Sequence, residues 1–105
     1  MSLGKNSDMT ADEIISGLNQ PFILAHTIYQ LFEKVYGFSS YQASGIYCAM
    51  DSIYQDHLKQ SGYPDPGFRC VPRIIFSQYV QENGMTVDQI EEETRKRLGP
   101  KENKA

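Results

Sequence analysis

The sequence predicts an all-α fold, a small bundle of four to five helices centred on an antiparallel helical hairpin of residues 21–36 and 40–60. Apolar residues recur at the helical period in both hairpin segments. Glycines follow the expected helix ends, where a left-handed residue is favoured. Ser or Thr stands three residues before Glu or Gln at three places, the capping-box pattern of helix N-termini: Thr10–Glu13, Ser39–Gln42 and Thr86–Gln89.

The first helix is predicted to be short, residues 11–18, because Asn19-Gln20-Pro21 interrupts it. Pro21 is tolerated in the first turn of a new helix, since its missing N–H would have no partner there. The second helix is therefore predicted over 21–36, ending at Gly37. Leu24 belongs to its predicted apolar face, and the opposite face is predicted to be polar: His26, Gln30, Glu33 and Lys34.

The third helix, residues 40–60, is the longest, and few residues separate it from the second. A short connection places two helices side by side in opposite directions, so these two should form the centre of the core. The apolar stripe of the third helix extends over five turns: Ala43, Ile46, Tyr47, Met50, Ile53, Tyr54, His57 and Leu58.

The remaining chain begins with turn residues at 63–67, which predict a loop. Residues 68–76 could be a strand or a helix. Because Pro72 cannot donate to a strand ladder and no second strand is evident, a helix over 72–82 is the favoured interpretation. A fifth helix is predicted over 87–98, and its narrow apolar stripe predicts loose packing or burial against a partner: Val87, Ile90 and Leu98.

Composition indicates one globular domain, with 40% hydrophobic and 22% charged residues in a chain of 105. We assign this domain to residues 10–99 and expect flexible termini at 1–9 and 100–105. No apolar run approaches the length of roughly 20 residues that spans a membrane, so no membrane contact is expected.

The two cysteines, Cys48 and Cys70, have neither CxxC nor metal-ligand spacing. Two free thiols in a cytoplasmic protein are the favoured interpretation, and a single disulfide or a zinc site with His57 is the alternative. The sequence also lacks a glycine-rich phosphate loop, a nucleophile elbow, an HExxH motif and a paired-carboxylate motif. We therefore predict no enzyme, no cofactor and no metal. Asp65 and Arg69 are the best polar pair for a ligand.

Charge is polarised near the C-terminus: residues 82–93 hold five acids and no base, and residues 95–105 hold five bases and one acid. If Gly84 were the turn of a helix-turn-helix motif, acidic residues would occupy the part of the recognition helix that faces the DNA phosphates, which would repel them. Three i,i+4 pairs would instead neutralise these charges within the helix: Glu91–Arg95, Glu92–Lys96 and Glu93–Arg97. A nucleic-acid-binding regulator using residues 72–98 is therefore only the alternative hypothesis, with these candidate contacts: Arg95, Lys96, Arg97 and Lys101.

The favoured hypothesis is an intracellular protein-interaction or regulatory module that forms a homodimer. Seven Tyr and five Phe give more aromatic surface than five short helices can cover. Tyrosine is enriched at protein interfaces, where one end of the ring is dry and the other is wet. The candidate interface residues are Tyr29, Tyr36, Tyr47, Tyr54, Val87, Ile90 and Leu98.

Overall fold

The computed structural model describes residues 9–62 and 69–99. The predicted fold class is confirmed, because the chain is largely all-α with one small sheet. In chain order the elements are α1 (Ala11–Leu18), β1 (Phe22–Leu24), α2 (Ala25–Gln30) continuing into a π-helix (Leu31–Val35), α3 (Ser40–Ser61), β2 (Cys70–Pro72), α4 (Arg73–Glu82) and α5 (Val87–Leu98). The predicted loop at 63–67 and the segments 1–8 and 100–105 lie outside the described residues.

All three predicted capping boxes are confirmed. At the first, Glu13 N donates to Thr10 Oγ1 at 3.1 Å and Thr10 N donates to Glu13 Oε1 at 2.8 Å. These pairs satisfy amides that the first helical turn leaves without partners. The starts of α1, α3 and α5 therefore follow from local chemistry alone.

The two-stranded sheet corrects two predictions. Strand β1 pairs antiparallel with β2, and Ile23 lies opposite Val71. The expectation that no second strand exists was wrong, and residues 22–24 are extended instead of helical. Pro72 fits because it lies opposite Phe22, at a position whose nitrogen faces away from β1; the neighbouring Arg73 N donates to Pro21 O at 2.9 Å. The predicted helix after Pro72 is present as α4.

The second helix ends in a π-helical segment that the sequence does not signal. Phe38 N donates to Phe32 O at 2.9 Å, which closes the widened turn. Gly37, with φ of 74°, reverses the chain there. Phe38 is thereby folded back over Phe32, with ring centroids 5.7 Å apart and planes 14° apart.

The predicted hairpin forms the centre of the core, since α2 and the π-helix pack against α3. Strand β1 contributes Ile23 to the same core, while its neighbour Leu24 is 50% exposed. Gln30, which was predicted to be exposed, is buried, and its Oε1 accepts a hydrogen bond from Met9 N at 3.1 Å. His57, which was predicted to lie in the core or at its rim because of its place in the apolar stripe, is exposed.

Helix α5 is docked more firmly than the sequence predicted. It packs against α1 and the π-helix, with Ile90 fully buried. Thr94 is also fully buried, and its hydroxyl donates to Ile90 O at 2.7 Å. Because a threonine hydroxyl can be satisfied by the preceding turn, Thr94 serves as a core residue. Two further contacts hold the helix: Arg97 Nη1 donates to Val35 O at 3.1 Å and Asn19 Nδ2 donates to Glu91 Oε2 at 2.8 Å.

Candidate interaction surfaces

Most of the predicted interface residues lie inside the chain itself. Tyr47 and Tyr54 are 3% and 7% exposed, and Val87 and Ile90 are also buried. Such side chains have little surface left to offer a partner. The other three candidates are half-buried and pack against the core: Tyr29, Tyr36 and Leu98.

A different apolar surface lies around the two-stranded sheet. Phe22, Leu24 and Ile74 are 44%, 50% and 62% exposed. Phe22 and Pro72 are directly opposed across the strands, and Pro72 lies beside Ile74 in a shallow hollow. These four residues form one surface, which we call the sheet patch. The sequence alone does not reveal this patch, because a helix predicted over residues 22–24 hides the alternation that exposes positions 22 and 24.

The hollow next to the sheet patch has a volume of about 230 Å³. It is lined by residues of α3, β2 and α4: Tyr54, His57, Leu58, Ser61, Pro72, Ile74 and Ile75. The hollow extends the apolar surface of the sheet patch towards the C-terminal end of α3.

The outer edge of β1 carries backbone groups that do not bond to β2. Arg73 N donates to Pro21 O and Ala25 N donates to Arg69 O at 3.0 Å, so odd-numbered β1 residues face the partner strand. In an antiparallel ladder the alternate residues direct their backbone groups away from it. The N–H and C=O of Phe22 and the N–H of Leu24 therefore point to the outside, whereas the Leu24 carbonyl begins α2.

A second apolar feature, which we call the aromatic pocket, lies between the end of the π-helix, α3, α4 and the turn from α4 to α5. It encloses about 190 Å³. Its walls are mostly aromatic and aliphatic: Phe32, Tyr36, Phe38, Ile46, Tyr79, Val80, Asn83 and Met85. No charged side chain is part of this lining.

Arg69 is held between two tyrosines of the hairpin, Tyr29 of α2 and Tyr47 of α3. Its Nη2 donates to the Tyr29 hydroxyl at 2.5 Å, and its guanidinium carbon lies 5.1 Å from the Tyr47 ring centroid. Burial raises the pKa of Tyr47 to about 12, with Asp51 adding to the rise and Arg69 opposing it. Tyr47 is thus a neutral hydroxyl at ordinary pH. Asp65, which was predicted to contact a ligand together with Arg69, lies outside the described residues.

The charges of α5 only partly pair as predicted. Glu93 Oε2 and Arg97 Nε are 2.7 Å apart, as the i,i+4 spacing predicted. Glu91 instead accepts the bond from Asn19. Arg95, Lys96 and Arg97 are exposed at the C-terminal end, and the candidate Lys101 lies outside the described residues.

The cysteines and metal-ligand residues give no assembled site in the described part of the chain. Cys48 is an exposed thiol and Cys70 a buried one. Within residues 9–62 and 69–99, no group of three or more His, Cys, Asp or Glu side chains is placed to hold a metal ion. No helix in those ranges combines the length and the apolar character needed to cross a membrane.

Comparison with known proteins does not assign the chain to a family. It matches no protein-family model, no curated protein and no solved structure.

Proposed function

We propose that this protein is an interaction module that associates with a second copy of itself through the sheet patch. The observation that supports the proposal is the grouping of Phe22, Leu24 and Ile74, three large apolar side chains about half exposed, beside an edge of β1 that no strand among residues 9–62 and 69–99 covers. Contiguous apolar surface of this kind marks interaction sites, whereas single exposed apolar residues do not.

A second copy suits the patch because the outer edge of β1 is self-complementary. Two antiparallel copies of one strand are related by a two-fold axis, the commonest symmetry of protein dimers. In that arrangement the Leu24 N–H of each copy donates to the Phe22 carbonyl of the other, using groups that do not bond to β2. The pairing would join two small sheets into one sheet of four strands.

The side chains must supply most of the association free energy, since β1 has only three residues. Burying an apolar side chain completely is worth about 1.5–3 kcal/mol, and these are already half-buried. Association also has an entropic cost, so we expect a dissociation constant in the micromolar range or weaker. Cys48 and Cys70 do not form a disulfide with each other. Cysteines without disulfides are usual in intracellular proteins, which supports an intracellular location for this dimer.

Light scattering from micromolar to millimolar concentration tests the proposal, with Phe22→Ser and Ile74→Ser as the variants. Each should raise the dissociation constant by about tenfold, because each removes apolar area from the contact. Tyr41→Ser is the matched control, since Tyr41 is 87% exposed and lies outside the sheet patch. A wild-type chain that stays monomeric over the whole range contradicts the proposal, as does a Tyr41→Ser effect equal to that of Phe22→Ser.

Nucleic-acid binding is the second candidate function. It is supported by the exposed basic side chains at the C-terminal end of α5. The first half of the same helix exposes Asp88 and Glu92, which repel phosphates. A mobility shift at low salt that Arg95→Ala with Lys96→Ala abolishes would favour this candidate. Arg97 is unsuitable for the test because it also donates a hydrogen bond to Val35 O, so its substitution would disturb the fold. The absence of a shift at low salt would remove the candidate.

A further inference from the structure

We propose that the aromatic pocket is a binding site for a neutral aromatic molecule of one or two rings that carries a hydrogen-bond donor. The pocket is distinct from the sheet patch, and none of its lining residues belongs to that patch. Ligand binding at the pocket and self-association at the patch can therefore be tested independently.

The volume of the pocket suits a single ring system. An apolar cavity of roughly 150 Å³ in a protein interior is known to take up benzene, and the aromatic pocket holds about 190 Å³. Its floor is fixed, because Phe32 and Val80 are 3% and 1% exposed. A rigid floor avoids the cost of rearranging the core on binding.

The walls favour an aromatic ligand over an aliphatic one. Phe38 stacks on Phe32 at the rim and remains 38% exposed, so a face or edge of its ring is open to a further ring. Tyr36 lies 5.7 Å from Phe32 on the same side, centroid to centroid. Met85 adds a thioether, and sulfur packs favourably against aromatic rings.

The electrostatics of the pocket disfavour a charged ligand. No lining side chain carries a formal charge to pair with one, and an unpaired charge is costly to move from water into an apolar site. The Tyr36 hydroxyl is neutral as well, since a tyrosine ordinarily loses its proton only near pH 10.0 and its pKa is raised further by burial and then by Glu93, with Arg97 opposing.

Asn83 provides the polar contact that would orient the ligand. Its Nδ2 donates to Tyr79 O at 2.8 Å, which fixes the amide group. This bond uses one of the two N–H donors of Asn83, so its amide oxygen, which accepts hydrogen bonds, and its second N–H remain to meet a ligand. A ligand with one N–H or O–H group at the ring edge matches this arrangement.

The probe is indole, titrated into the full chain labelled with ¹³C at the methionine methyl groups. The Met85 methyl resonance should shift and saturate with a dissociation constant of about 1 mM or below, as expected for so few ligand atoms. The Met50 resonance should stay in place, because Met50 is fully buried in the core and does not line the pocket. An unmoved Met85 resonance, or equal shifts at both methionines, overturns the proposal.

A matched pair of phenylalanine variants tests the location. Phe38→Ala should weaken indole binding by at least fivefold, and Phe22→Ala should leave it unchanged. The two side chains are similarly exposed, at 38% and 44%, and only Phe38 lines the pocket. Circular dichroism checks that both variants fold, which their exposure leads us to expect. Equal binding by both variants contradicts the assignment.

A matched pair of ligands tests the chemistry. Benzoate has one ring and a negative charge, and it should not shift Met85 where indole does. 1-Methylindole lacks the N–H donor and should bind several-fold more weakly than indole to the wild-type chain. Asn83→Ala should remove this difference, and it provides a second variant at an exposed residue. Benzoate binding as tight as indole binding, or an N–H preference that survives in Asn83→Ala, overturns the chemical assignment.

Discussion

Two helical glycines should respond in opposite directions to the same substitution. Gly17 lies near the end of α1, and a Cβ added there would stand 2.9 Å from both Thr27 Cγ2 and Thr27 Oγ1. Gly45 lies in α3, where an added Cβ meets no heavy atom within 4 Å. Thr27 is short, β-branched and 4% exposed, so it cannot swing aside.

The magnitudes follow from these distances. Overpacking a core typically costs about 1–3 kcal/mol, and the helix propensity gained by alanine offsets up to about 1 kcal/mol of it. We therefore expect Gly17→Ala to lower the free energy of unfolding by about 1–2 kcal/mol. At Gly45 no steric cost opposes the higher helix propensity of alanine, so Gly45→Ala should raise the free energy of unfolding by about 0.5–1 kcal/mol.

Thermal and urea unfolding followed by far-ultraviolet circular dichroism would measure both changes, at one fixed protein concentration because association shifts apparent stability. One kcal/mol corresponds to a change in Tm of roughly 4–8 °C for a domain of this size, so the two variants should differ by about 10 °C. If both variants gain stability, α1 does not approach Thr27 as closely as described. If both lose stability, the site around Gly45 is not open.

Three further predictions concern α5 and the hairpin. Ile90→Ala should destabilise the chain by about 2–4 kcal/mol in urea unfolding, because it leaves a cavity at a fully buried site; Leu98→Ala, at a half-buried position of the same helix, should cost less than half as much. Thr86→Ala should cost about 1 kcal/mol in the same assay through loss of the capping box. Tyr47 has a pKa raised from 10.0 to about 12, which favours its neutral form in the folded state. The stabilisation of the folded state that this raised pKa produces is complete below pH 10.0 and is lost as the pH rises towards about 12. Because phenylalanine does not titrate, Tyr47→Phe should lose less stability over that range.

Local signals predicted the helices well. The capping boxes placed the starts of α1, α3 and α5, since a cap depends only on residues three positions apart. The apolar periodicity of 43–58 gave the buried face of α3, including Ala43 and Met50. These features need no knowledge of distant contacts, so a single sequence contains them.

Features set by distant contacts were missed. Strand β1 forms because β2, far along the chain, supplies its hydrogen bonds, and nothing within 21–24 announces that partner. Gln30 and Thr94 are polar residues that can be buried because their side chains are hydrogen-bonded. A pattern of hydrophobic residues does not reveal such positions. The sheet patch could not be predicted for the same reason, because its residues come together only when β1 and β2 pair.

Concentration-dependent hydrogen exchange at the Leu24 amide tests the proposed dimer most directly. This N–H points away from β2, so it should exchange rapidly in the monomer and become protected as the concentration rises and the β1 edges pair. The Ile23 amide faces Val71 and provides the internal control, with protection at every concentration. Rapid exchange at Leu24 that does not change between micromolar and millimolar protein, with Ile23 protected throughout, would contradict the pairing of two copies at this edge.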